Sequence, residues 1–184
     1  MICLIPARGG STRIPRKNTR DFHGQPIIAW SISVAIRSGL FDRVIVTTEN
    51  GEIAAIASSY GASVHIRSAE MAQDEIGTQE VAQSAFKRLN PNDTYSCVLY
   101  ATAPLLLTQD LLGGFDRLKT VGTDYVISKG RDDIDAGAFY FGKTKSFITG
   151  VPLEGNHATF YLDDDRVCDI NTLEDWNRAE KIWN

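Results

Sequence analysis

At 184 residues the chain has room for one domain with a substantial core, and its 43% hydrophobic and 23% charged residues are ordinary for a water-soluble globular protein. A net charge of −4 argues against a general affinity for nucleic acid, no apolar window reaches membrane-span length, and no basic-plus-apolar leader opens the chain. A cytoplasmic protein working away from membranes is therefore expected, and its three scattered cysteines (Cys3, Cys97, Cys168) and three histidines lack zinc-ligand spacing and read as buried thiols and isolated rings.

Apolar runs alternate with amphipathic segments along the chain. Residues 1–5 read as a buried strand. They run into Ile5-Pro6-Ala7-Arg8-Gly9-Gly10-Ser11-Thr12-Arg13-Ile14-Pro15-Arg16-Lys17-Asn18, where paired glycines permit a tight turn. Five cations (Arg8, Arg13, Arg16, Lys17, Arg20) precede the first acid, Asp21. A glycine turn after a strand, loaded with positive charge in an acidic chain, points to a polyphosphate ligand. The Gly-Lys-Ser/Thr ending of a P-loop and the G-x-G-x-x-G fingerprint of dinucleotide sites are both absent from it.

Residues 26–38 then predict a helix with Ile28, Ile32, Ala35 and Ile36 on one face, Pro26 in its first turn and Gly39 at its end. Strands are expected at 44–47 and 63–66, around a helix over 52–60 stopped by Gly61. Val81, Ala82, Ala85, Phe86 and Leu89 give helical spacing over 79–89, with Thr78 as the cap. A central strand over 96–100 leads to a helix over 109–119 whose inner stripe is Leu111, Leu112, Phe115 and Leu118. Further strands are read at 125–128, 138–141, 159–162 and 167–170, with Asp163-Asp164-Asp165 as a turn. A last helix after Thr172 is expected to bury Leu173, Trp176, Ala179 and Trp183. The alternation predicts a single α/β domain over 1–184, with a mixed, mostly parallel sheet and helices on both faces.

The charged glycine loop resembles the N-terminal signature of the cytidylyltransferases that activate nonulosonic (sialic-type) sugar acids with CTP. Further blocks continue the resemblance in order. Asp21-Phe22-His23-Gly24-Gln25-Pro26-Ile27-Ile28-Ala29-Trp30-Ser31-Ile32 is similar to the second block, and Asp42-Arg43-Val44-Ile45-Val46-Thr47-Thr48-Glu49 to the V-S-T-D strand end, with Glu49 in place of the usual aspartate. Tyr100-Ala101-Thr102-Ala103-Pro104-Leu105 resembles the form typical of the pseudaminic acid branch. Asp135-Ala136-Gly137-Ala138-Phe139-Tyr140 and Asp169-Ile170-Asn171-Thr172-Leu173-Glu174-Asp175-Trp176 complete the series.

The resemblance implies a Rossmann-like nucleotidyltransferase fold and transfer of CMP from CTP to a nine-carbon sugar acid, with pyrophosphate leaving. Catalysis of that transfer rests on positioning and on neutralising phosphate charge. Arg8 and Lys17, with N–H groups around Gly10 and Ser11, are assigned to the leaving phosphates. Ala7, Gly9 and Asn18 belong to the same nucleotide loop. Arg67 and Thr78 fall where the family contacts cytosine, Tyr100 and Thr102 where it lines the nucleotide or sugar pocket, and Asp135, Ala136 and Gly137 in the acceptor pocket. Mg²⁺ is the expected cofactor, held at Asp169 and at Asn171, which stands where the family's D-x-D pair has its second aspartate.

Six residues, Lys129, Gly130, Arg131, Asp132, Asp133 and Ile134, stand where the family carries a long insertion that supplies sugar contacts and a dimerisation arm. The short link predicts a weakened homodimer. Three activities stay open on these residues: an active CMP-sugar synthetase, a non-catalytic nucleotide-binding protein of the same fold, and nucleotidyl transfer to a smaller acceptor.

Overall fold

The chain's structure, a computed structural model, describes residues 1–183. Its elements in chain order are β1 (Ile2–Pro6), β2 (Asp21–Phe22), β3 (Gln25–Pro26), α1 (Ile27–Arg37), β4 (Arg43–Thr48), α2 (Gly51–Ser59), β5 (Ser63–Ile66), α3 (Thr78–Leu89), β6 (Tyr95–Leu99) and α4 (Thr108–Val121). They continue with β7 (Tyr125–Lys129), β8 (Asp135–Lys143), α5 (Thr144–Thr149), β9 (His157–Tyr161) and α6 (Leu173–Trp183). Seven strands form one sheet in the order β5-β4-β1-β6-β8-β7-β9. Pairing is parallel except where β8 meets β6 and β7, so β8 alone runs against the others.

Strands covered on both faces run nearly continuously apolar, as β1 does, and β6 departs from this only at Ser96, whose hydroxyl is hydrogen-bonded to that of Thr144 at 2.8 Å. Cys3, Ile5, Val46 and Leu99 pack on one face against Ile28, Ile32, Ile53, Leu111 and Leu118 of α1, α2 and α4. Ile2, Leu4, Ile45 and Val98 pack on the other against Ala82, Ala85, Phe86 and Phe147 of α3 and α5. A third cluster sets Trp176 and Ala179 of α6 on Ile14, Phe22 and Ile27, which fastens the charged loop's Ile14 to the body of the protein. Burying each of the Val, Leu, Ile and Phe side chains contributes about 1.5–3 kcal/mol. All three cysteines are free and buried, as expected.

The structure departs from the sequence reading at specific places. Residues 167–170 form no strand. Their carbonyls are satisfied by side chains instead: Arg178 Nη2 donates to Val167 O at 2.8 Å and Lys17 Nζ to Ile170 O at 2.6 Å. Leu112, Ile36 and Leu173 were expected to face inward and are 47%, 46% and 49% exposed. Leu111 and Leu118 carry the stripe of α4, and Leu112 sits about 100° further round the helix. Thr78 is not the cap of α3; Gly77 holds that position and Thr78 is the first helical residue. The hairpin β2–β3 went unread. Its two-residue turn places His23 at φ 50° and Gly24 at φ 87°, the pair of positive angles that a type I′ turn requires.

Candidate active site

Parallel strands deliver the residues beyond their carboxyl ends to one edge of the sheet. Here the residues after β1, β4, β5 and β6 meet there, joined by the start of the reversed β8. The strand order changes direction between β1 and β6, which opens a crevice suited to a ligand. A cleft of about 260 Å³ occupies it. Seven residues singled out from sequence line this one cleft: Arg8, Lys17, Asn18, Arg67, Thr78, Tyr100 and Thr102. Pro6, Ile76, Val81 and Ala101 add apolar surface, and Met71, Gln73, Asp74 and Gly77 come from the segment between β5 and α3.

Each cation here has a defined partner. Arg8 pairs with Asp74 across the cleft. Arg67, 8% exposed at the end of β5, donates from Nε to Glu49 Oε2 at 3.1 Å. The other oxygen of Glu49 accepts the Gly9 N–H at 2.6 Å, so one carboxylate ties the glycine loop to Arg67. A Cβ on Gly9 would stand 2.5 Å from Asn50 Nδ2, which explains a glycine there. Asn18 is buried, and its Nδ2 donates to Arg8 O at 2.8 Å, bracing the turn that carries Arg8. Burial lowers the pKa of Lys17, and Asp169 opposes that shift. Burial likewise lowers that of Arg67, against the pull of Glu49.

Several loop residues lie elsewhere than expected. Ala7 is buried and donates its N–H to Thr47 O at 3.0 Å, extending the pairing of β1 with β4. The Gly9 N–H is engaged by Glu49, and the Ser11 N–H donates to Gly9 O at 3.0 Å, so neither is directed at a ligand; Gly10 is exposed. Arg16 turns away to pair with Glu52 of α2.

A second group adjoins the cleft at the start of β8. Asp135 Oδ1 accepts the Gly137 N–H at 2.9 Å. Gly137 has φ 57°, and a Cβ on it would come within 2.7 Å of Asp169, so the Asp169 carboxylate lies directly over this turn. Ala136 is 1% exposed and belongs to the core, which removes it from the acceptor surface. Asn171 bridges: its Oδ1 accepts from Arg13 Nη2 at 3.0 Å and its Nδ2 donates to Asp169 Oδ2. Thr172 caps α6 by accepting the Asp175 N–H, and the Asp175 carboxylate accepts in return from the N–H groups of Thr172 and Asn171, which fixes the backbone of this group.

Burial raises the pKa of Asp169; the Asn171 hydrogen bond and Lys17 oppose it, and Asp135 adds to it. The hydroxyls of Tyr100 and Tyr140 are hydrogen-bonded at 2.5 Å, and both rings feel the charges of Asp135 and Asp169. Burial raises both tyrosine pKa values, so both hydroxyls are neutral donors near neutral pH. No group of three or more His, Cys, Asp and Glu side chains gathers as a metal site among the described residues. Asp169, with Asp135 near it, is a donor set suited to Mg²⁺, which takes one or two carboxylates and completes its shell with water and phosphate oxygens.

Sequence reasoning passed over Asp74, and it noted Tyr140 and Glu49 only as members of family blocks, without a role. Each acquires its place from a partner distant in the chain, which no local pattern reveals.

The sequence model of the family described as cytidylyltransferase matches residues 2–140. The chain belongs to that family. Among curated relatives, this cytidylyltransferase is 33% identical to the pseudaminic acid cytidylyltransferase of Campylobacter jejuni over 221 aligned positions, covering 99% of this chain and 95% of the relative. It is 31% identical to N-acylneuraminate cytidylyltransferase A of Danio rerio, covering 97% of this chain and 49% of that protein. Among solved structures, CMP:2-keto-3-deoxy-manno-octonic acid synthetase complexed with CTP aligns with a TM-score of 0.79 at 13% identity, covering 99% of this chain and 97% of that one. The 4-diphosphocytidyl-2C-methyl-D-erythritol synthase of Anaerococcus prevotii aligns with a TM-score of 0.71 at 12% identity over 99% and 97%. These two structures establish the nucleotidyltransferase fold. The alignment with the Campylobacter protein is longer than this chain, so that relative carries segments this one lacks. No helix among the described residues is long and apolar enough to cross a membrane.

Proposed function

We propose that the chain transfers CMP from CTP to a nonulosonic acid, with pseudaminic acid the foremost candidate, and releases pyrophosphate. The observation that carries this reading is the convergence of Arg8, Lys17, Asn18, Arg67, Thr78, Tyr100 and Thr102 on one cleft at the strand-order reversal. Arg67 and Thr78 offer donors to the pyrimidine edge between the apolar walls of Ile76 and Val81. Arg8 and Lys17 meet the β- and γ-phosphates and neutralise the charge that builds on pyrophosphate as it leaves. Asp135 and the Tyr100–Tyr140 hydroxyls offer polar partners to a sugar acid beside the α-phosphate, so that its hydroxyl is held in line for attack.

Asp169 would hold Mg²⁺, whose chemistry is to draw charge from phosphate oxygens. Asn171 serves this group by orienting Asp169 through its amide. Asn171→Asp is expected to leave folding intact and to tighten Mg²⁺ binding in the presence of CTP by about 3- to 10-fold, because ligand charge count tunes affinity for hard cations. Calorimetric titration checks this, and unchanged metal dependence would remove position 171 from the metal's surroundings. The protein is proposed to act in the cytoplasm, as at most a weak homodimer.

The functional reading is tested by offering CTP, Mg²⁺ and a panel of acidic sugars and measuring pyrophosphate. Release with pseudaminic acid is the expected result. Tight CTP binding without pyrophosphate from any nine-carbon acid would favour a non-catalytic nucleotide-binding protein, the reading to which Asn171 and the short link 129–134 lend weight.

A further inference from the structure

The segment between β5 and α3, residues 68–77, forms the wall of the cleft opposite the glycine loop. It carries Glu70, Asp74 and Glu75 and no cation. Such a charge pattern is unfavourable beside a site for a triphosphate, unless one of these acids acts on the ligand's own contacts. Asp74 does reach one: it is the ion-pair partner of Arg8.

We infer that Asp74 competes with phosphate for Arg8 and thereby limits how tightly the site holds pyrophosphate and the triphosphate of CTP. The inference rests on the nucleotidyl-transfer reading of Arg8 and goes beyond it by giving the opposite wall a role. The Arg8 guanidinium offers one set of planar donors, and carboxylate and phosphate use that set in the same way. An arriving phosphate therefore displaces Asp74, and a departing pyrophosphate meets a carboxylate ready to recapture the arginine.

The exposures fit such an exchange. The side chains of Arg8 and Asp74 are 34% and 56% exposed, so either can be released to water at small cost. The pairs that hold the fold are different in kind. The side chains of Arg67 and Glu49 are 6% and 21% exposed, and those of Arg166 and Asp110 are 13% and 4% exposed. Breaking either of those would strand a charge away from water. The pair at the cleft is exchangeable, and the others are fixed. Asp74 acts through Arg8, so it is a positioning residue.

The test uses the full chain as wild type, Asp74→Asn and Glu75→Gln, titrated with CTP, pyrophosphate and cytidine in Mg²⁺ and then assayed at steady state. Glu75 is exposed and carries the same charge one residue away without contacting Arg8. Asp74→Asn is expected to tighten CTP and pyrophosphate by about 3- to 10-fold, the scale of one partly screened charge pair, and to leave cytidine within about twofold. KM for CTP should fall, inhibition by pyrophosphate should strengthen, and kcat should drop as product release slows.

Glu75→Gln should leave all of these within about twofold. Unchanged or weaker pyrophosphate binding by Asp74→Asn would overturn the inference, as would equal tightening by Glu75→Gln. Wild-type protein that binds neither CTP nor pyrophosphate would overturn the functional reading together with this inference. Wild-type binding that Asp74→Asn leaves untouched overturns this inference alone.

Discussion

Lys17→Ala is expected to slow pyrophosphate release by about 100- to 1000-fold, the loss typical of removing one preorganised electrostatic contact to a transition state. The side chain runs through the interior of the site to donate to Ile170 O at 2.6 Å, with Asp169 nearby. Burial disfavours its charge, while Asp169 favours it, so a cation is held in a place of reduced dielectric. A charge held there acts on phosphate oxygens more strongly than one in water. The stability cost should be about 1.5–3 kcal/mol, the loss of one hydrogen bond from a charged donor to the Ile170 carbonyl. A pyrophosphate-coupled assay, with thermal unfolding as the control for folding, measures both effects. Turnover within a few fold of wild type would take Lys17 out of the phosphate site and with it the proposed mechanism.

Asp169→Asn is the second large effect, and its signature is a split between activity and stability. Turnover should fall by about 100- to 1000-fold, since the change removes the carboxylate charge proposed to hold Mg²⁺ at the phosphates. Stability at neutral pH should hold or rise. Burial pushes the Asp169 pKa up, so the ionised form is the one the fold disfavours, and the neutral amide escapes that cost. The rise should shrink as pH falls, because the wild-type carboxylate then takes up a proton and is relieved as well. A large loss of thermal stability in Asp169→Asn at pH 7 would mean that the pull of Lys17 and Asn171 outweighs burial. The carboxylate would then be a structural anchor.

Some of this was legible in the sequence and some was not, for physical reasons. Arg8 and Lys17 stood out because five cations follow a strand in an acidic chain, and Asn18 took its role from resemblance. Arg67 and Thr78 carry no such signal. One is a lone cation after a strand and the other begins a helix, so only resemblance singled them out. Glu49 gained its role from Gly9, 40 residues away, and from Arg67, 18 residues away. Residues 167–170 misled because apolar periodicity reports burial, not backbone pairing. Cys168 and Ile170 are indeed buried, yet the carbonyls at 167 and 170 are met by Arg178 and Lys17. Ala136 was placed in the acceptor pocket by resemblance alone, which does not report burial. Although flanked by Asp135 and Gly137 at the mouth of the site, it lies on β8, whose residues 136–142 are all buried.

The lone reversal of β8 bears on how this enzyme class diversifies. Because that strand runs backwards, the connection entering it emerges at Asp135, beside the proposed acceptor position, while the proposed nucleotide cleft is built from other connections. Chain can therefore be added between Lys129 and Asp135 without touching the glycine loop, Glu49 or Arg67. On the proposed function, acceptor choice becomes a detachable module, and grafting a longer segment at this one junction is the direct route to altering it.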